Sequence, residues 1–279
     1  MDKDVFTLST ERFTIEGRSR AGHETWFRIR DLGVMLDLGR GADAAIGVSN
    51  IFISHAHLDH AAGIAFYAGQ RQLHRMTGGR VWVPAEAAEG FREILRVWER
   101  LTNTRFDDVE ILGIAAGDVV RIGRTLEVRV HAATHRVAAN AYEIVEVRHR
   151  LKEEGLTQEE IRRRRAEVIE EYRVPLLFYT GDTDRGILES NTALFKSEVL
   201  IIECSFVSDG HQERAARYRH IHFDDIAEFA DRFENRLIVL THFSRRYSRA
   251  DIRDEIGRRC PGVIRERLRL ALPEPFQQL

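Results

Sequence analysis

The apolar run Ile51-Phe52-Ile53 passes through Ser54 straight into His55-Ala56-His57-Leu58-Asp59-His60. Packing gives no reason for three imidazoles and a carboxylate to crowd into one loop at the end of a strand-like segment. Nitrogen and carboxylate oxygen donors together suit Zn²⁺ or a similar divalent ion. The short spacing lets side chains from one loop converge on two adjacent metals. The alternative is a solvent-exposed histidine cluster, but with 12 histidines in 279 residues such a pattern seldom arises by chance. A chain with this loop must fold so that a rigid strand end holds it and further ligands come to meet it.

Three later segments supply such ligands. Val128-Arg129-Val130-His131-Ala132-Ala133-Thr134 leads to His135, residues 175–180 lead through Gly181 to Asp182, and Leu237-Ile238-Val239-Leu240-Thr241 leads to His242. A lone His or Asp after a strand is usually a turn or cap residue. Four ligand-bearing strand ends in one chain favour a site built on loops over a rigid sheet.

The 279 residues, 43% of them hydrophobic, can bury a substantial core, and no low-complexity linker divides them. No stretch approaches the roughly 18 apolar residues of a membrane span. The start, Met1-Asp2-Lys3-Asp4, is polar and has no signal-peptide core. Two cysteines, Cys204 and Cys260, make no disulfide framework and suit a reducing compartment, so the expected location is the cytoplasm. The net charge of −2 argues against a protein coated in positive potential, but not against a local basic patch for nucleic acid. Arg162, Arg163, Arg164 and Arg165 form one such run. They read either as phosphate contacts or as a solvated helix face offset by Glu159, Glu160, Glu167, Glu170 and Glu171.

The pattern predicts strands over 13–16, 26–30, 34–38, 51–53, 109–112, 126–130 and 142–147, with helices over 64–72 and 85–101. A polar helix is expected over 157–172, opened by a Thr157/Glu160 capping box. The second half alternates strands (176–179, 199–202, 237–240, 267–272) with helices (224–233, 249–258). Strands in both halves followed by helices imply an α/β architecture of two facing sheets with helices outside. We expect a single domain over 1–279 with a charged helical insertion around 148–172.

His55-x-His57-x-Asp59-His60 followed by His135, Asp182 and His242 resembles the metallo-β-lactamase fold family. Within it, Ile53-Ser54-His55-Ala56-His57-Leu58-Asp59-His60-Ala61-Ala62-Gly63, Thr180-Gly181-Asp182-Thr183 and Leu240-Thr241-His242-Phe243-Ser244-Arg245-Arg246-Tyr247 look like the signatures of tRNase Z. Glu203-Cys204-Ser205-Phe206 stands where that family has a Glu-Ala-Thr segment, and His220-Ile221-His222 where it has His-Ser-Thr. Gly22-His23-Glu24-Thr25 and Phe233-Glu234-Asn235 are most like the short plant-type enzymes. The chain has no Gly-Pro-rich arm of the kind many bacterial relatives use to grip the tRNA elbow. It also lacks the Pro-x-Lys-x-Arg-Asn-like loop near the N-terminus.

The resemblance implies a metallo-β-lactamase αβ/βα four-layer sandwich of two facing mixed sheets covered by helices. It implies two Zn²⁺ per chain, with Mn²⁺ also admitted by the carboxylates. His55, His57 and His135 would hold one ion, Asp59, His60 and His242 the other, and Asp182 would bridge them. Asp59 would orient the attacking hydroxide or accept its proton, and His220, held by Glu203, would protonate the leaving 3′-oxygen. His222 is its near neighbour and reads otherwise as a structural or capping histidine. Asp37 reads either as an acceptor from a ligand imidazole or as a plain turn residue before Gly39. Arg246, Tyr247 and the Arg162–Arg165 run are expected to contact substrate.

The implied activity is metal-dependent phosphodiester cleavage that removes 3′ trailers from precursor tRNA, in a homodimer with no membrane partner. The rival is a small-molecule phosphodiesterase, acting on a cyclic nucleotide for example, with the same metal chemistry. A basic track to the metals favours the first and a closed pocket the second. A non-enzymatic RNA-binding role would leave the ligand set without a use.

Overall fold

The structure, a computed structural model, describes residues 5–153 and 155–279. The polar start at residues 1–4 lies outside the described residues. The first half builds a seven-stranded sheet in chain order: β1 (Phe6–Ser9), β2 (Thr14–Arg20), β3 (Glu24–Ile29), β4 (Val34–Leu36), β5 (Asn50–Phe52), β6 (Gly79–Pro84) and β7 (Val109–Ile114). Its helices are α1 (Leu58–Ala61), α2 (Ile64–Leu73) and α3 (Ala88–Thr102). The second half builds another from β8 (Val119–Ile122), β9 (Leu126–Ala132), β10 (Asn140–Leu151), β11 (Ile169–Tyr179), β12 (Val199–Glu203), β13 (Leu237–Thr241) and β14 (Leu268–Leu270), again in chain order. With it go α4 (Gln158–Arg163), α5 (Arg165–Val168), α6 (Gly186–Ser190), α7 (Gln212–Tyr218), α8 (Phe223–Glu228), α9 (Arg249–Arg259) and α10 (Gly262–Arg265).

Both sheets are mixed. Pairing is antiparallel from β1 to β4 and from β8 to β11, and parallel from β4 to β7 and from β11 to β14. The sequence pattern tracks this change. Thr14–Arg20 alternates buried with less buried residues, as a strand with one wet face does, while β4, β5 and β12 are buried throughout. Alternation then divides the core into layers. Phe52 faces Phe27, Tyr142, Ile144, Leu177, Tyr179 and Ile201 between the sheets. Ile51, Ile53, Val81 and Val83 face Ile64, Tyr67, Phe91 and Leu95 of α2 and α3. Leu200, Ile202, Ile238 and Leu240 face Ile226, Ile252, Ile256 and Ile264 on the far side. The result is the expected four-layer αβ/βα sandwich.

The strands that carry the candidate ligands end at one edge. β4 and β5 are parallel, as are β11, β12 and β13, and two antiparallel steps bring β9 into line with β11. The sheets are tied there by the Asn140 N–H, which donates to Ser54 O at 2.9 Å, and by the Tyr142 hydroxyl, which donates to Ile53 O at 2.6 Å. Gly181 is required at this seam. Its φ is +58°, and a Cβ would lie 2.6 Å from that of Ser54.

The 148–172 segment departs from the sequence reading. Thr157 and Glu160 do form the capping box, but the helical part stops at Val168 and β11 begins at Ile169. Beyond Glu146 the strand β10 has lost β9 and pairs only with β11, down to Leu151↔Ile169. The segment is therefore a two-stranded ribbon with two short helices at its tip. Cross-strand charges such as Arg150–Glu170 at 2.9 Å, set by the period of two, suit the ribbon better than a helix. Its tip is at the strand ends opposite the ligand edge, roughly 35 Å away at about 3.3 Å per residue.

Candidate metal centre and cleft

His55, Asp59 and His60 follow β5, with His57 at the N-cap of α1; His135 follows β9, Asp182 follows β11 and His242 follows β13. All seven converge. His55, His57, His135 and Asp182 offer donor atoms within 4.8 Å of one another, as do Asp59, His60 and His242. In the first group His57 Nδ1 stands 3.0 Å from His55 Nε2 and 3.2 Å from His135 Nε2, with Asp182 Oδ2 3.7 and 3.9 Å from the same two nitrogens. In the second, Asp59 Oδ2 lies 3.7 Å from His60 Nε2 and 3.4 Å from His242 Nε2. Asp182 reaches this group too, at 3.4 Å from His60 and 3.3 Å from His242. Metal–ligand bonds of about 2.0–2.1 Å put tetrahedral donors roughly 3.3 Å apart, the middle of this range.

The outer partners decide which ring nitrogen faces inward. His135 Nδ1 meets the carbonyl of Arg219 at 3.1 Å, and a carbonyl only accepts, so Nδ1 carries the proton. Asp37 receives the proton of His60 Nδ1 at 2.7 Å, together with the Ser54 N–H and hydroxyl and the Tyr179 hydroxyl. Of the two Asp37 readings, the structure shows the acceptor from an imidazole, that of His60. Glu203 accepts from the Ser205 hydroxyl at 2.8 Å, leaving that oxygen to accept from His242 Nδ1 at 2.9 Å. With Nδ1 turned outward, His60, His135 and His242 thus direct Nε2 to the centre. His60 Nε2 is buried without any hydrogen-bond partner. Imidazole nitrogens and carboxylates converging at such distances suit a bound cation.

The electrostatics agree. Burial holds His55, His57 and His135 below the ordinary histidine range, so these rings are neutral donors. Burial opposes the charge on Asp182, yet the histidines around it, His242 and His60 foremost, hold the carboxylate below its ordinary range. Asp59 is likewise held low against burial by His242, His60 and the Gly22 N–H, which donates at 2.7 Å. Burial also opposes a proton on His60, but the field of Asp182, Asp37 and Asp59 outweighs it and pushes the ring to about 9. That field would equally attract a divalent ion.

His220 stands beside this centre with Nδ1 2.8 Å from Glu203 Oε1. Burial opposes its charge, but Glu203 prevails and pushes His220 up to about 9. Glu203 is buried and fixed by the N–H groups of Thr183, Ser205 and Ile221. His222 takes the structural role: Nδ1 accepts from the Asp224 N–H at the cap of α8, and Nε2 donates to Ser208 O. His131 is bound to Glu143 and Asn191 within β9, away from the cluster. Cys204 is a buried thiol in the core behind Glu203.

The cluster opens on a cleft of about 690 Å³ lined by His57, His135, His220, Ser205, Phe206 and Tyr218, and by Arg20, Arg136, Arg245 and Arg246. The sequence reading singled out Arg246 but missed Arg20 and Arg136. Arg136 directly follows His135, which was the available signal. Tyr247 does not line this cleft; its hydroxyl bonds His211 Nδ1, and it borders a neighbouring pocket. Arg162, Arg163, Arg164 and Arg165 are on the distant ribbon tip, where Arg164 pairs with Glu153 and Glu167.

A family model described as a beta-lactamase superfamily domain matches residues 39–243. The tRNase Z TRZ1 of Arabidopsis thaliana is 32% identical over 90% of this chain and 92% of its own length. Its chloroplastic tRNase Z TRZ2 is 30% identical over 89% of this chain and 72% of its own. Among solved structures, the metallo-beta-lactamase fold protein YhfI from Bacillus subtilis superposes with a TM-score of 0.62 at 15% identity, over 97% of this chain and 96% of its own. Human tRNase Z, short form, does so with a TM-score of 0.54 at 19% identity, over 88% and 93%.

Proposed function

This chain belongs to the tRNase Z family of the β-lactamase superfamily, and from that premise we propose that it is a metal-dependent endoribonuclease removing the 3′ trailer from precursor tRNA. The observation that carries the reading is the union of one ligand cluster with one arginine-lined cleft. His55, His57 and His135 would hold one divalent ion and Asp59, His60 and His242 a second, with Asp182 between them. Zn²⁺ suits this mixture of imidazole and carboxylate, and Mn²⁺ is a second fit. When bound, such a pair polarises a phosphoryl oxygen and makes hydroxide available near neutral pH.

The chain's own groups do the rest. Asp59 is ionised and stands within the cluster beside His60 and His242, so it would orient the attacking water and take up its proton. Glu203, 2.8 Å from His220 Nδ1, favours the imidazolium, which would give its proton to the departing 3′-oxygen. Arg20, Arg136, Arg245 and Arg246 carry no ion pair among the described residues and line the approach for phosphates. An open, arginine-walled cleft favours a polymer over a cyclic nucleotide. The exposed run Arg162, Arg163 and Arg165 would meet the tRNA body far from the cut, and Arg246 would act near it.

The chain reads as one domain with the ribbon as its insertion. A second copy is the proposed occupant of the apolar groove of α2 and α3, where Phe66, Leu73, Trp98 and Leu101 are exposed. No helix among the described residues is long and apolar enough to cross a membrane. The free thiols Cys204 and Cys260 fit a cytoplasmic setting. The test is turnover of the metal-loaded protein on a trailer-bearing tRNA precursor beside a panel of cyclic nucleotides. Cleavage of the precursor supports the reading; hydrolysis of cyclic nucleotides alone would replace it.

A further inference from the structure

Tyr218, the last residue of α7, stands in the wall between two cavities. One is the metal cleft; the other, of about 310 Å³, is lined by Gly210, Glu213, Arg214, Arg217 and Tyr218 itself. Three guanidinium groups surround its ring: Arg217 at 5.8 Å from the centroid, Arg214 at 5.9 Å and Arg136 at 6.0 Å. None of the three is ion-paired among the described residues, although most of the chain's strand arginines are matched to a carboxylate. Arg214 Nε is buried with no hydrogen-bond partner. Three like charges around one ring repel one another, and Glu213 is the one carboxylate lining that pocket. Each guanidinium is attracted to the ring face, but the three repel one another; an anionic ligand with a flat apolar face would relieve that repulsion.

We infer that Tyr218 with Arg136, Arg214 and Arg217 forms a subsite for unpaired RNA flanking the scissile phosphate, the ring stacking a nucleobase and the guanidinium groups taking the adjacent phosphates. The inference rests on the endoribonuclease reading above. An aromatic face accepts every base, and arginines track the backbone, so the subsite binds single strands without selecting sequence. Its position places the strand correctly. Arg136 adjoins His135, and Tyr218 is two residues before His220, so a nucleotide held here continues directly into the cluster. Duplex RNA hides its base faces, which makes an unpaired segment the matching ligand. Two parts of a precursor have this chemistry: the trailer itself and the unpaired end of the tRNA.

The test is the affinity of the metal-loaded protein for end-labelled hexauridylate, read by anisotropy with integrity checked on a gel. Tyr218→Ala should weaken binding by about five- to hundredfold, and Tyr218→Phe by less than about twofold, because the ring and not the hydroxyl stacks. Unchanged affinity in Tyr218→Ala, or an equal loss in Tyr218→Phe, overturns the subsite. If Tyr218→Ala does not fold, Arg214→Gln with Arg217→Gln decides. Log Kd against log salt should then flatten by about 0.7 for each phosphate no longer neutralised, and an unchanged slope overturns the proposal. Precursors with one- and six-nucleotide trailers identify the source. A KM penalty for Tyr218→Ala that grows with trailer length assigns the trailer, and an equal penalty assigns the tRNA end. A wild-type protein that cuts no precursor would remove the endoribonuclease reading, while anisotropy would still judge the subsite.

Discussion

Glu203 holds His220 with one carboxylate oxygen, 2.8 Å from Nδ1, and reaches His242 with the other through the Ser205 hydroxyl. One buried side chain therefore holds both the proposed proton donor and a ring of the candidate metal cluster. Removing it would disturb two steps at once, whereas removing His220 would disturb one.

His220→Ala should slow precursor cleavage by roughly 10²- to 10⁴-fold. The loss on bis(p-nitrophenyl) phosphate should be far smaller, since that leaving group needs no proton. Equal losses on the two substrates would make His220 a structural residue. Glu203→Gln should lose on both, because His242 loses its support as well.

Asp59→Ala should abolish turnover while thermal unfolding stays close to wild type. The carboxylate is partly exposed, and its protein contacts are the Gly22 N–H and the rings of His60 and His242. Retention of more than about a tenth of wild-type kcat would remove Asp59 from the proposed role.

Asp37→Asn tests how the centre is supported from behind. The amide would put a donor where Ser54, Tyr179 and His60 all donate, so His60 Nδ1 loses a clean acceptor. Divalent-metal affinity, measured by competition with a chelator, should fall about 10- to 100-fold. Affinity equal to wild type would mean that His60 needs no such partner.

Much of the site was legible in the sequence because its ligands are local. The His55–His60 loop is contiguous, and His135, Asp182 and His242 each end a strand that its apolar run announces. Asp37 was legible only as one of two alternatives: a turn aspartate before glycine looks the same whether or not Ser54, His60 and Tyr179 converge on it, and that depends on β4, β5 and β11 meeting. The cleft arginines were hidden for the same reason, being few among many and chosen by tertiary position alone. In the fold, β6 carries the β-rich run Gly79-Arg80-Val81-Trp82-Val83-Pro84 and was readable, yet its neighbouring helices dominated the pattern. Residues 169–172 read as helix because charge masked an alternation that the pairing with 148–151 makes decisive.

Replacing Arg162, Arg163, Arg164 and Arg165 with Gln should raise KM for precursor tRNA. The salt dependence of KM should flatten by up to about 0.9 for each duplex phosphate that the substitutions leave unneutralised. If neither moves, the ribbon tip does not meet the substrate.

The most direct measurement is the chemistry of the ends made when the metal-loaded protein meets a trailer-bearing tRNA precursor. Water attack at phosphorus with His220 protonating the 3′-oxygen predicts a tRNA ending in a 3′-hydroxyl and a trailer beginning with a 5′-phosphate. Chelation should stop the reaction, and restoring the divalent ion should restart it. A tRNA ending in a cyclic or 3′-phosphate, or cleavage that persists without metal, would contradict this reading of the site.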